Sequence, residues 1–287
     1  MSIQSFNSKY KTEISENTEE LDVLGKKIGD EGLKILCSIK FKKLTQLLLE
    51  ENNISNIDIL AKNNFGKNLV ALDLSTNKLT SINVLAKVNF PTLKELNLSS
   101  NKLSSIDIFS KVNFPQLKEL DLSKNQISSI DVLASSKFPD LEDLCLDQNK
   151  ISSIDVFAKI KCDKLKKLKL EKNNLKNIDI LEKITFNKLN YLSIGDDTLG
   201  DKVDCLKKIK FGELEDIYLY LNDSIDRETD KIQGIATYFE EKNVTFNFIS
   251  CDDDNDNDIN LDEDFNVGGG KNTGDGGFDV LLNSDAF

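Results

Sequence analysis

The chain has 287 residues, 39% of them hydrophobic and 30% charged, with a net charge of −12. This composition fits a soluble globular protein with a large core, and no run of eighteen apolar residues marks a membrane span. There is no histidine, and Arg227 is the only arginine, so the usual general base and the commonest zinc ligand are missing, which argues against an enzyme.

The charge is unevenly placed. From residue 251 onward, eleven acidic residues and one lysine give −10, leaving −2 for the preceding 250. No basic stripe dominates, which argues against a nucleic-acid partner. Five scattered cysteines, Cys37, Cys145, Cys162, Cys205 and Cys251, form no CxxC pair. They read as reduced thiols, and the first twenty residues lack the basic start and apolar middle of a secretory signal. A cytoplasmic location is expected, with the nucleus as the alternative.

Residues 1–43 read as an N-terminal segment and cap. Within them, "ELDVLGKKIGDEGLKILCSIKF" places a strand near Leu21 and Val23 and a helix starting near Asp30. From residue 44 to 222 the chain repeats itself. "LVALDLSTNKLTSINVLAKVNFPT" starts at Leu69, and related 24-residue copies start at Leu93, Leu117, Leu141 and Leu165. Looser copies start at Leu44, Leu189 and Leu214.

In the motif LxxLxL the last two leucines are two apart, so they share one face of a strand. The Asn that follows stands where the chain leaves the strand, at Asn52, Asn77, Asn101, Asn125, Asn149, Asn173 and Asn222. Its amide both donates and accepts, so it can serve turn groups that the sheet leaves unpaired. Next comes "IxxIDVLAKxxF", a short helix or helical turn in which Ile127, Ile130 and Leu133 and their equivalents fill the other half of the core. A recurring aromatic, at Phe41, Phe65, Phe90, Phe114, Phe138, Phe186 and Phe211, with Cys162 once in its place, forms a stacked spine.

The motif LxxLxLxxN, recurring about eight times in register over residues 18–250, resembles the leucine-rich repeat family of the intracellular type. The resemblance implies an α/β solenoid. Its expected form is a horseshoe with a concave parallel β-sheet and short helices or turns on the convex side. The first copy resembles a longer, helix-bearing subtype, although Lys26 stands where the Asn is expected. The copy at Leu189 carries Asp197 for Asn and an irregular loop.

The concave side chains are the x positions of LxxLxLx. They put an acidic patch, Glu95, Glu119, Asp121, Asp143 and Asp147, on the middle strands, which favours a basic partner. Lys166, Lys167, Lys169 and Lys172 form a basic step, of which Lys167 and Lys169 should face the concave side. Tyr191, Tyr218 and Tyr220 follow near the C-terminal end, and exposed Tyr clusters are typical interface anchors. Cys145 falls on the same face between Asp121 and Lys169 as a neutral exposed thiol. Some members of the family activate GTPases, but Arg227 lies in the C-terminal cap and not on a strand. The expected function is therefore a non-enzymatic scaffold or adaptor that binds another protein on this face, as part of a larger assembly.

Residues 223–250 read as a C-terminal cap, a helix in "DRETDKIQGIATYFEEKN" followed by the strand "VTFNFIS". Residues 251–287 read as an acidic, Gly-rich tail that cannot bury enough apolar surface to order itself. Inside it, "DDDNDNDINLDE" resembles an EF-hand loop, with Asp252, Asp254, Asp256, Asp258 and Glu263 as calcium ligands. Asn257 replaces the turn glycine and two flanking helices are missing. Two further expectations follow: a calcium-responsive regulator, or an acidic-tailed chaperone of basic proteins, which resembles the acidic nuclear leucine-rich family in outline. No other cofactor is expected.

Overall fold

The computed structural model describes residues 2–160, 163–195, 199, 203–221 and 230–250. Each repeat contributes one short strand, and each strand pairs in parallel with the next. In chain order these are β1 (Glu20–Asp22), β2 (Gln46–Leu48), β3 (Ala71–Asp73), β4 (Glu95–Asn97), β5 (Glu119–Asp121) and β6 (Asp143–Cys145). They continue as β7 (Lys167–Lys169), β8 (Thr185–Phe186), β9 (Tyr191–Gly195), β10 (Lys210–Phe211), β11 (Asp216–Leu221) and β12 (Thr245–Ser250). Ten of them form one sheet in the order β1-β2-β3-β4-β5-β6-β7-β9-β11-β12, and β8 with β10 forms a small second sheet.

The leucines explain the strand faces. Leu72, Leu96, Leu120, Leu144, Leu168 and Leu192 pair in register and are buried, as are Leu74, Leu98, Leu122, Leu146 and Leu170 two residues on. Their partners across the core come from a row of 3-10 turns. Asp131–Ser135 is one, with Ile127, Ile130 and Leu133 all buried. These turns start at Asp or Asn because a Ser or Asn two residues earlier accepts the backbone N–H. Ser129 Oγ accepts from Asp131 N at 3.2 Å, and Asn177 Oδ1 from Asp179 N at 2.5 Å. Such local bonds favour a tight turn over a longer helix.

The chain leaves each strand through a residue in the left-handed conformation. Glu51, Thr76, Ser100, Lys124, Gln148 and Lys172 have φ between 51° and 55°. Each costs roughly 1–2 kcal/mol for an L-residue, and each precedes a repeat Asn that holds the turn. The Asn101 Nδ2 donates to the carbonyls of Leu74, Leu98 and Ser99 at 2.9, 3.2 and 3.0 Å, while its Oδ1 accepts from Leu79 N at 2.9 Å. Asn77, Asn125, Asn149 and Asn173 repeat this arrangement, and Asn52 does so with Val23 O, Glu50 O and Ile28 N. All six are buried. Asn222 lies outside the described residues, as does Cys162.

The aromatic spine forms in sections. Phe90 stacks on Phe114 with centroids 6.3 Å apart, and Phe186 on Phe211 at 6.2 Å. Beyond Phe138 a cavity of about 50 Å³ is lined by Phe138, Leu144, Phe157 and Ile160.

The ends are closed differently. At the N-terminus, helix α1 (Ile3–Tyr10) packs Phe6 and Tyr10 onto the first repeat, and Tyr10 Oη donates to the Ile28 carbonyl at 3.2 Å. Ile3, Phe6 and Tyr10 stand at helical spacing, but eight residues are too short a stretch for a firm periodic signal. Helix α2 (Gly29–Ser38) forms the convex side of that repeat and buries Leu33, Ile35 and Leu36. At the C-terminus, helix α3 (Asp230–Glu240) buries Ile232, Ile235 and Phe239 before β12 joins the sheet beside β11.

Strands β9 and β11 lengthen to five and six residues. Gly195 makes this close approach possible. Its φ is +116°, and a Cβ there would sit 2.0 Å from the Tyr220 carbonyl oxygen.

Two changes test this framework by chemical denaturation. Asn101→Ala orphans the buried Leu79 N–H and takes one of two donors from each of the Leu74, Leu98 and Ser99 carbonyls, and it is expected to cost about 3 kcal/mol, because an orphaned buried group alone costs roughly 1–3 kcal/mol. An unchanged unfolding midpoint would show the ladder to be dispensable. Gly195→Ala is expected to destabilise by more than about 2 kcal/mol through backbone overlap, whereas Gly29→Ala, a left-handed glycine with open space around it, costs only the roughly 1 kcal/mol of its φ.

Candidate functional site

The parallel register lines the concave residues into rows that cross the strands. One row runs Gln46, Ala71, Glu95, Glu119, Asp143, Lys167, Tyr191 and Asp216 from β2 to β11. A second runs Leu48, Asp73, Asn97, Asp121, Cys145, Lys169, Ser193 and Tyr218. Along the sheet, the face therefore changes from acidic on β3–β6 to basic on β7 and aromatic on β9–β11.

The acids fall into two groups. Asp73 Oδ1 accepts from Ser75 N at 2.7 Å and from Ser75 Oγ at 2.6 Å, and its Oδ2 from Asn97 Nδ2 at 3.1 Å. Asp121 Oδ1 likewise accepts from Ser123 N at 2.8 Å. These residues close the strand ends and were foreshadowed by the triplets Asp-Leu-Ser and Asn-Leu-Ser, which the sequence reading of the face passes over. The row Glu95, Glu119 and Asp143 has no such turn. Glu95 is 8% exposed, and its Oε2 is buried without a hydrogen-bond partner.

Crowding and burial act on the charges. Glu119 has its pKa pushed up to about 7, first by burial and then by Glu95, Asp143 and Glu142, against the pull of Lys167. Asp143 and Glu95 are raised mainly by burial, offset in part by Lys167 and Lys94 respectively. Burial also raises Asp147 well above the usual range, with Glu171 and Asp121 adding to it. Asp147 is therefore a buried member of the face and not an open carboxylate.

The basic step is tied into its surroundings. Lys167 and Lys169 Nζ lie 5.3 and 5.9 Å from the centroid of the Tyr191 ring, a cation–π arrangement. Lys166 pairs with Glu142 at 2.5 Å, and Lys118 reaches the other oxygen of Glu142 at 2.7 Å.

The three tyrosines come together but not as three exposed anchors. Tyr191 and Tyr218 are half-buried and stack with centroids 5.1 Å apart. Tyr220 shares the face of Tyr218, as strand alternation implies, but is only 6% exposed, between Gly195 on β9 and Ile249 on β12. The Tyr191 hydroxyl is buried without a hydrogen-bond partner, whereas the Ser193 hydroxyl faces the Glu171 carboxylate, whose pKa burial raises and Ser193 pulls back down. Cys145 is half-buried between Asp121 and Lys169, and burial followed by Asp121 holds its thiol neutral.

Among the described residues, no group of three or more Cys, Asp or Glu converges to hold a metal ion. The expected calcium ligands Asp252, Asp254, Asp256, Asp258 and Glu263 lie outside the described residues, as does Arg227. Among the described residues, no helix is long and apolar enough to cross a membrane.

The family model for the leucine rich repeat matches residues 91–151, the repeats that carry the acidic row. The described residues as a whole take the leucine-rich repeat solenoid fold. Solved structures share this fold. An internalin (inlF) of Listeria monocytogenes is 20% identical with a TM-score of 0.52, the match covering 77% of this chain and 64% of that one. The repeat protein thus spans less than two thirds of that internalin chain. A chain in the octameric complex of latrophilin 3, Unc5D and FLRT2 (LRR) is 21% identical with a TM-score of 0.54, covering 81% of this chain and 75% of that one. No curated protein matches the repeat protein in sequence.

The raised carboxylates predict how stability depends on pH. Glu119 has a folded pKa of about 7 against an ordinary 4.5, so the fold favours its protonated form. Its stabilising contribution is complete below about pH 4.5 and is lost as pH rises through 7. The thermal midpoint is expected to fall between pH 5 and pH 8, and Glu119→Gln should flatten that slope and raise the midpoint at pH 8. Equal slopes in both proteins would remove Glu119 from the effect.

Proposed function

We propose that this leucine-rich repeat protein is a non-enzymatic interaction scaffold whose protein partner lies across the concave sheet. One observation carries the reading. The aromatic end of the face combines a stacked tyrosine pair with a buried Tyr191 hydroxyl that lacks a hydrogen-bond partner. Buried polar groups are almost always satisfied, so a side chain left short of bonds on an outward-facing sheet fits a surface completed by another molecule. A small reorientation of χ angles is enough to turn it toward that molecule.

The rest of the face supports a macromolecular partner over a small substrate. The charged and aromatic rows extend across seven strands, and adjacent strands lie about 4.8 Å apart, so the surface is long and shallow. No nucleophile with an adjacent base appears among the described concave residues, and the one thiol, Cys145, is held neutral. The repeat chain of similar fold noted above belongs to a multi-protein assembly. Repeat solenoids offer such extended concave surfaces by construction.

Affinity capture tests the proposal. Protein partners retained by the wild type are expected to be lost with Tyr191→Ala/Tyr218→Ala, because aromatic anchors dominate interface energy. They should be kept with Lys208→Ala, which removes an exposed lysine paired with Glu182 among the 3-10 turns. A partner set unaffected by the tyrosine changes would place the binding surface elsewhere.

A further inference from the structure

We propose that the row Glu95, Glu119 and Asp143 reads an extended, basic segment of the partner, taking two Arg or Lys side chains separated by one residue. The proposal deepens the concave-face reading and rests on it.

Three observations carry it. The first is register. The three carboxylates stand directly opposite one another on β4, β5 and β6, so they span about 10 Å at roughly 4.8 Å per strand. In an extended chain, side chains on one face recur about every 6.8 Å, twice the rise per residue. Two basic side chains at i and i+2 therefore fall within the row, the first over Glu95 and the second between Glu119 and Asp143. The next position, about 14 Å along, meets Lys167 on β7, which repels a third basic residue and favours an acidic one.

The second observation is independent of charge. Glu95 is more than nine-tenths buried, yet its Oε2 has no hydrogen-bond partner. On the same face Asp73 is saturated by Ser75 and Asn97. The two acids differ in role: Asp73 closes a strand end, whereas Glu95 has an acceptor with no bond to lose when a donor arrives.

The third is the absence, among the described residues, of any acidic group compact enough for a metal ion. A linear row suits the distributed N–H donors of a guanidinium or of successive ammonium groups better than a single ion.

Binding should be linked to protons. The groups facing Glu119 are Glu95 on β4, Asp143 on β6 with Glu142 just before it, Lys167 on β7, and Lys118, its neighbour in the chain just before β5. Burial, and then the acids among them, hold it partly protonated near neutrality, and a cation bound in the row favours the ionised form. Binding then releases protons and tightens as pH rises from 6 to 8.

The test uses the full chain and a fluorescein-labelled peptide of four Arg-Ala repeats, followed by anisotropy at low salt. Glu95→Gln and Glu119→Gln are each expected to weaken binding roughly tenfold. Glu182→Gln, on a 3-10 turn, should leave it unchanged, which separates the row from general attraction to acidic surface. Calorimetry in two buffers of different ionisation heat should show proton release that falls in Glu119→Gln. A Glu-Ala repeat peptide should not bind the row. Equal affinity in the wild type and both Gln variants would overturn the proposal. If Tyr191→Ala/Tyr218→Ala still lost the captured partner, the concave-face reading would stand without it. If neither set of changes mattered, both readings would fall.

Discussion

The side-chain amide of one asparagine per repeat is the interaction on which this structure depends. A strand of three residues cannot define a solenoid by itself, and the chain must leave it through a left-handed turn that costs energy. The Asn amide answers both needs. It bonds carbonyls of its own turn and of the preceding strand, and it accepts an N–H from the preceding loop. Because the group is buried, its oxygen satisfies a loop N–H that would otherwise be orphaned, and its N–H groups give the strand-end carbonyls a further donor. The leucine core then packs against a backbone whose spacing and register are already set. The concave rows inherit that register, and the acidic, basic and aromatic zones follow from it.

Much of this was legible in the sequence, for a physical reason. A fixed 24-residue period carries the same offsets from repeat to repeat, so naming one strand names all of them and the columns can be read down. The pairing of Glu95 with Glu119 and Asp143, and of Tyr191 with Lys167, follows from counting alone. What counting could not reveal was the state of each side chain. That Asp121 is occupied by its own Ser123, while Glu95 lacks a partner, depends on torsions within a single turn. Tyr220 is buried where β11 lies between β9 and β12, and that pairing belongs to the cap and not to the repeat motif. Helix α1 escaped notice because its three apolar residues, although at helical spacing, span only two turns.

The concave face also illustrates how a repeat protein separates stability from recognition. The inward leucines and the asparagines recur almost unchanged, while the outward positions vary from Glu to Lys to Tyr within a few strands. That variation is not neutral for the fold. Carboxylates placed side by side on a partly buried sheet raise one another's affinity for protons, so the surface that presents them is held under electrostatic tension. A bound cation would relieve it.

The asparagine ladder is also directional. The amide oxygen of each repeat serves a loop N–H in the repeat before it, as Asn125 does for Leu103 and Asn149 for Ile127. A repeat is thus left with an open turn until its successor arrives. On a ribosome, where the N-terminal end emerges first, each unit would be sealed by the next one synthesised. The solenoid would then grow in the order of translation, its leading edge always one repeat from completion.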